Sequence, residues 1–220
     1  MENLLTPTNI IKSNRKTLSL IINNKGELIV RAPLKCKDSA IFDFIKAKAD
    51  WIIEKRTNTL QNLVQPLKIK TGEIITLLGK TYNIKLEDVK SAKIIQDILV
   101  VPKDNSKNRL IMFLKRILKK IIENKIKLIN QSYDFKYKNI SISSAKTNWG
   151  SCSGTNNLHF TYKLMLCPEQ VVDYIVVHEL VHTIIKNHSK TYWRNVKKIY
   201  PYYKQCENWL KENKGIIELI

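Results

Sequence analysis

No apolar run in this 220-residue chain approaches the roughly 20 residues that cross a bilayer, so no membrane-spanning helix is expected. The opening residues, MENLLTPTNI, carry an acid and no long apolar core. No secretory signal is therefore expected, and the chain reads as cytoplasmic. Cysteine is sparse. Cys36, Cys152, Cys167 and Cys206 are scattered with no CxxC pair, which speaks against a zinc knuckle and suits four reduced thiols. Arginine is scarcer still beside lysine, 6 against 32, although the net charge is +19. A positive excess of this size can mark a nucleic-acid partner. Planar, two-pronged phosphate contacts are the work of arginine, however, and Ile, Asn and Lys are abundant together. The charge therefore reads as a bias of the whole composition, and a nucleic-acid partner is kept open but not favoured.

The chain is 44% hydrophobic and 26% charged, as in a globular domain. Its pattern is that of an α+β protein. The first part, residues 1–103, is β-rich with one inserted helix. KTLSLIINNKGELIVRAP holds two β-prone runs about Asn23, Asn24, Lys25 and Gly26, a hairpin signal. Ile41, Phe44, Ile45, Lys48, Trp51 and Ile52 then fall at helical spacing, with Asp38 or Ser39 available as a cap. Two more strands are expected about Gly79 and Lys80, and a short pair or one bent strand in AKIIQDILVVPK. The second part, residues 104–220, opens with a long amphipathic helix carrying Leu110, Phe113, Leu114, Ile117, Ile121, Ile122, Leu128 and Ile129 on one stripe. Lys115, Lys119, Lys120 and Lys125 read as its solvated back. Two strands follow, in NISISSAKTNWGSC and NNLHFTYKLML, then a helix entered at Pro168 and two helices on either side of Pro201.

The chemistry is concentrated in IVVHELVHTIIKNHSKTYW, Ile175 to Trp193. On a helix His178 and His182 lie four residues apart, so both rings point the same way. Apolar residues cover nearly the whole circumference, which predicts a buried helix. Two imidazoles and a carboxylate are costly there unless something satisfies them, and a zinc ion does so through neutral imidazole nitrogens. Glu179 sits about 100° round from His178, beside the ion rather than on it. A metal that activates water and a carboxylate that takes its proton are the mechanical content of H-E-x-x-H.

A catalytic zinc takes three protein ligands and keeps one position open. His188 is the candidate third ligand. Asn187 tolerates a left-handed turn that would end the helix, and Ser189 can cap the next one. Glu207 on the last helix is the alternative ligand. The remaining histidine, His159, reads as an ordinary strand side chain.

From TNWGSC to the C-terminal helix the chain resembles the YgjP-like metallopeptidase family, relatives of the SprT-like zinc proteins. Trp149, Gly150, Ser151 and Cys152 match its W-G-S-C element. His178, Glu179 and His182 match its H-E-L-x-H helix, and Asn187, His188, Ser189 and Trp193 its third element. The early segment through Trp51 is similar too. The resemblance implies a zincin-like metallopeptidase part with Zn²⁺ on His178, His182 and His188, and with Glu179 as general base. It departs at Asn148, where the family often has a basic residue, and at Tyr192, where it usually has Phe.

The expected function is a zinc-dependent metallohydrolase acting on a peptide or protein, with the strand from Asn157 to Met165 as an edge that holds substrate by backbone pairing. A phosphate-ester hydrolase, or a nucleic-acid-binding module with a structural zinc, are the alternatives. Oligomeric state is not legible.

Overall fold

The computed structural model describes residues 2–23, 25–61, 67–145 and 147–220. The chain divides into two compact units, Met1–Gln65 and Pro66–Ile220. The first runs α1 (Glu2–Leu5), β1 (Asn9–Ser13), β2 (Ser19–Ile22), β3 (Leu28–Pro33), α2 (Asp38–Ala47) and α3 (Ala49–Gln61). The expected hairpin is β2 antiparallel to β3, while β1 lies parallel on the other side of β3. Asn23 Oδ1 accepts the Lys25 and Glu27 amides, and Gly26 takes φ 77°, where a side chain is disfavoured. Alternate residues Leu28, Val30 and Ala32 of β3 are buried with Ile41, Ile45 and Ile52.

The expected single helix is broken at Lys48 into α2 and α3. Neither Asp38 nor Ser39 caps it. The N-cap is Lys37, with no side-chain bond, because Asp38 pairs with Lys12 at 2.8 Å. Trp51 is exposed rather than packed in the core.

The second unit continues with β4 (Ile74–Leu77), β5 (Lys80–Glu87), β6 (Lys93–Ile95) and β7 (Ile98–Pro102). They form one sheet in the order β4-β5-β7-β6. Next come α4 (Ser106–Ile129), β8 (Asn139–Ser143), β9 (Gly150–Cys152) and β10 (Asn157–Thr161). The last three strands make a sheet in the order β8-β10-β9, with β8 parallel and β9 antiparallel to β10. A 3-10 turn, Tyr162–Leu166, leads into α5 (Glu169–Val181), α6 (Lys190–Ile199) and α7 (Tyr203–Glu212). Helices and three small sheets in sequence make the fold α+β, as expected.

The division between units does not coincide with the change of pattern near 103/104. Ile75, Leu77, Ile84, Leu99 and Val101 of the four-stranded sheet share one buried cluster with Leu110, Leu114 and Leu118 of α4 and with the inner face of α5. Burying side chains of this kind contributes roughly 1.5–3 kcal/mol each, so these strands gain their stability with the later helices.

Three further local expectations differ. The buried stripe of α4 continues through Leu118, Ile122 and Ile126, and Leu128 is exposed. The 139–165 region holds three strands, and the last ends at Thr161 because the chain tightens into the 3-10 turn. It is also the middle strand of its sheet. The edge strand beside α5 is β9 instead.

Lys125 does not belong to the solvated back of α4. Its side chain is only 15% exposed and reaches Asp173 at 2.5 Å and Glu169 at 2.8 Å on the first turns of α5. Burial pulls the Lys125 ammonium down, but the two carboxylates outweigh it and leave it above its ordinary value. The bond from Lys125 holds Glu169 below the usual carboxylate range. Lys125→Ala is expected to destabilise the protein by about 1–2 kcal/mol, since the carboxylates stay partly wet. The sign with pH follows from the two shifts. The clamp is fully present above the ordinary carboxylate pKa of about 4.3 and below the ordinary lysine pKa of about 10.4. It is lost as pH falls through the depressed Glu169 value or rises through the raised Lys125 value. Urea unfolding of wild type and variant across pH checks this, and the difference between them should shrink in acid.

Candidate metal centre

α5 carries the centre because, beyond its first turns, its sequence is apolar around most of its circumference. Val171, Val172, Tyr174, Ile175, Val176, Val177, Leu180 and Val181 are all buried. Pro168 stands at its N-cap position, and Glu169 occupies the first turn, where a negative charge suits the helix dipole. The helix ends sooner than the apolar run suggests. His182 is its C-cap residue, and Thr183 to Ile185 close in turns on Leu180 and Val181 carbonyls. His178 and His182 therefore project from the last turn of a buried helix.

The corner after α5 returns His188 to them. Asn187 does not take the expected left-handed backbone; positive φ occurs elsewhere, at Leu78, Gln96, Asn105 and Asn156. Its side chain does the work, with Oδ1 accepting the Ser189 amide at 3.2 Å. Ser189 is the N-cap of α6, as expected, its Oγ accepting the Tyr192 amide at 3.3 Å. The His188 Nε2 then lies 3.2 Å from His182 Nε2 and 3.3 Å from His178 Nε2. The three donor nitrogens fall within 4.8 Å of one another.

Each ring is held from behind. His182 Nδ1 donates to the Ile185 carbonyl at 3.0 Å, which leaves the Nε2 lone pair facing inward. His178 Nδ1 lies 3.4 Å from the Tyr174 hydroxyl. Tyr192 is fully buried and stacks on the His182 ring at 4.5 Å, and Trp193 lies 5.7 Å from the His188 ring. The Tyr192 hydroxyl donates to the His178 carbonyl at 3.1 Å, so its role is packing and anchoring. Burial pulls the His178 imidazole down to about 3, aided by His182 and His188. Burial also lowers His182, against the Ile185 bond. Neutral imidazoles with converging lone pairs repel one another and attract a cation. This donor set fits a metal ion that accepts nitrogen ligands.

Glu179 is 4% exposed, and burial pushes its carboxyl up to about 8. Its Oε2 has no hydrogen-bond partner among the described residues. An unpartnered buried carboxylate oxygen is costly, and a cation or water beside it would offset that cost. The neighbour that makes room for it is Gly150 of β9. A Cβ built there would lie 2.7 Å from Glu179 Oε1 and 2.8 Å from Cγ. Gly150 was matched by motif alone, and no property of the sequence reveals that its missing side chain shelters the carboxylate.

Other residues fall outside the cluster. Glu207, the alternative ligand, reaches Tyr174 instead, at 3.4 Å. His159 is exposed on β10 and bonded to Ser141 at 2.6 Å. Asn148 donates to the Gly150 carbonyl at 3.2 Å. Lys186 was not singled out by its sequence context. It bonds Asn156 Oδ1 at 2.5 Å and the Ser153 carbonyl at 2.9 Å, tying the β9–β10 turn to the end of α5. All four cysteines are free.

His178→Ala and His182→Ala are expected to abolish tight metal binding, and His188→Ala to weaken it by at least about tenfold. Metal content by elemental analysis after dialysis, with one ion per chain in the wild type, checks this. Full occupancy in either α5 variant would overturn the assignment.

No curated protein and no solved structure gives a significant match. Among protein families, residues 16–213 match the one described as YgjP-like, metallopeptidase domain. That span includes the HELVH helix, the Asn187–Ser189 corner and the glycine beneath Glu179, and the chain belongs to the YgjP-like metallopeptidase family.

Proposed function

We propose that the protein is a zinc-dependent peptidase. In this reading His178, His182 and His188 hold the ion through Nε2, and Glu179 is the general base. The observation that carries it is the convergence of three imidazole nitrogens beside a buried carboxyl group with one oxygen unpartnered among the described residues. Three histidines with no cysteine are the donor set of a catalytic rather than a structural zinc. When bound, the ion supplies Lewis acidity toward water and toward a substrate carbonyl.

The chain's own residues do the rest. Glu179 Oε2 takes the proton from the attacking water and later passes it to the leaving amine. Burial alone raises its carboxyl, and a cation held by the three histidines would draw it back down and leave it ionised as a base. The substrate edge is β9. Its partner bonds run from Thr161 to the Trp149 carbonyl and from Ser153 to the Asn157 carbonyl. The backbone groups of Gly150 and Cys152 therefore point away from β10. Beyond them no strand follows among the described residues. An extended peptide paired there would lie next to Gly150, and hence next to Glu179.

Zinc-loaded wild type should cleave members of an unbiased peptide library. Glu179→Gln should retain the metal and lose activity by on the order of 100-fold or more. Gly150→Ala should also retain the metal, while displacing the Glu179 carboxylate and lowering turnover by on the order of 100-fold. Hydrolysis at the original rate in metal-loaded Glu179→Gln would refute the mechanism. Turnover of nucleotides or phosphate esters with no peptide cleavage would refute the substrate class.

A further inference from the structure

We propose that Glu207 and Tyr174 form a positioning relay for His178, which fixes the ring's tautomer and presents its Nε2 to the metal. The inference rests on the zinc reading above and deepens it. Tyr174 stands one helical turn before His178 on α5, so the two side chains share a face. Its ring meets the His178 ring edge-on at 5.8 Å. The Tyr174 hydroxyl lies 3.4 Å from Glu207 Oε1, on α7, and 3.4 Å from His178 Nδ1. On the far side of the same imidazole, Nε2 lies 3.3 Å from His188 Nε2.

Donor and acceptor counting then fixes the protons. A carboxylate offers only lone pairs, so the phenol's single proton points to Glu207. Toward His178 the phenol oxygen can then only accept. His178 must carry its hydrogen on Nδ1, and the Nε2 lone pair faces the other two histidines. His182 reaches the same tautomer by a different device, the Ile185 carbonyl at 3.0 Å. Both relay bonds are long beside the usual range of about 2.5–3.2 Å. A cation on Nε2 withdraws density from the ring and makes Nδ1–H a stronger donor, so the relay tightens when the site is engaged. Glu207 thus serves the centre from behind Tyr174 and not as a ligand.

The test uses the full chain, stripped of metal and titrated with zinc against a chromophoric chelator. Tyr174→Phe and Glu207→Ala should each weaken zinc binding by about 10-fold, within the range for partners behind a ligand. The double variant should be no weaker than the weaker single, since both break one chain of bonds. Glu207→Gln should restore most of the affinity, because an amide oxygen accepts the same bond. Tyr203→Phe is the packing control: Tyr203 lies against Tyr174 at 6.4 Å, and its variant should bind zinc like the wild type. Nitrogen-15 NMR of the metal-free protein should show His178 protonated at Nδ1 in the wild type and a tautomer mixture in Tyr174→Phe. Unchanged zinc affinity in both single variants would overturn the relay, as would an equal loss in Tyr203→Phe. Loss beyond about 100-fold in Glu207→Ala would overturn it too, in favour of direct ligation. A wild type that binds no zinc would instead defeat the zinc reading, while the tautomer measurement would still decide the relay.

Discussion

The arrangement depends on the burial of α5. A helix buried around most of its circumference removes water from the polar groups on its inner turns, and this one carries two imidazoles and a carboxylate at its C-terminal end. Desolvation disfavours charge on all three. It holds His178 neutral and pushes Glu179 upward. The ring nitrogens must therefore find other partners, and the geometry supplies them: Tyr174 and Ile185 behind, and a shared focus of lone pairs in front. A wetter helix with the same HELVH spacing would let each imidazole bond to solvent, and nothing would force the rings to a common point.

Burial alone does not bring the third histidine or the sheet edge into place. Short polar contacts do that at each end of the turn that follows α5. Asn187 and Ser189 satisfy the amides of the corner, so His188 is presented by a fixed turn although it is itself exposed. Lys186 and Asn156 tie the β9–β10 turn to the same segment, and Asn156 also donates to the Thr183 carbonyl. The edge strand, the end of the helix and the corner are thereby registered against one another. Gly150 lies close against Glu179 within that arrangement.

Much of this was legible in the sequence, and the limits have physical causes. The i, i+4 spacing of His178 and His182 on an apolar run stated both the helix and its burial. Ser189 was readable as a cap because a serine before a helical pattern has one common use. Turn chemistry gave the hairpins about Gly26 and Gly79. Whatever depends on distant partners was not legible. Asp38 looked like a cap, but Lys12, far away in sequence, claims it. Lys125 looked solvated until Glu169 and Asp173 of α5 closed on it.

 
Those carboxylates, Glu169 and Asp173, lie more than forty positions along the chain from the lysine. Strand order was equally hidden: alternation shows which face of β10 is buried, not whether a neighbour pairs on each side.

The placement of negative charge matters for a candidate metal centre in a strongly basic chain. With 38 basic residues against 19 acidic ones, acids are the scarce resource, and four of them serve α5. Glu169 and Asp173 sit at its N-terminal end, where the helix dipole favours them and Lys125 fastens them to α4. Glu179 lies near its C-terminal end, and Glu207 stands behind His178 through Tyr174. The last turn of a helix concentrates unsatisfied carbonyls and thus negative potential. That end already favours a cation, Glu207 stands behind it without entering the histidine focus, and a cation there would in turn favour the ionised form of Glu179. Surface lysines are screened within about 8–10 Å at physiological salt, so the excess positive charge of the exterior weighs little against these buried dipoles and acids. The local field at the three imidazoles is thus set by α5 and its partners, and a cation is attracted there despite the sign of the chain as a whole.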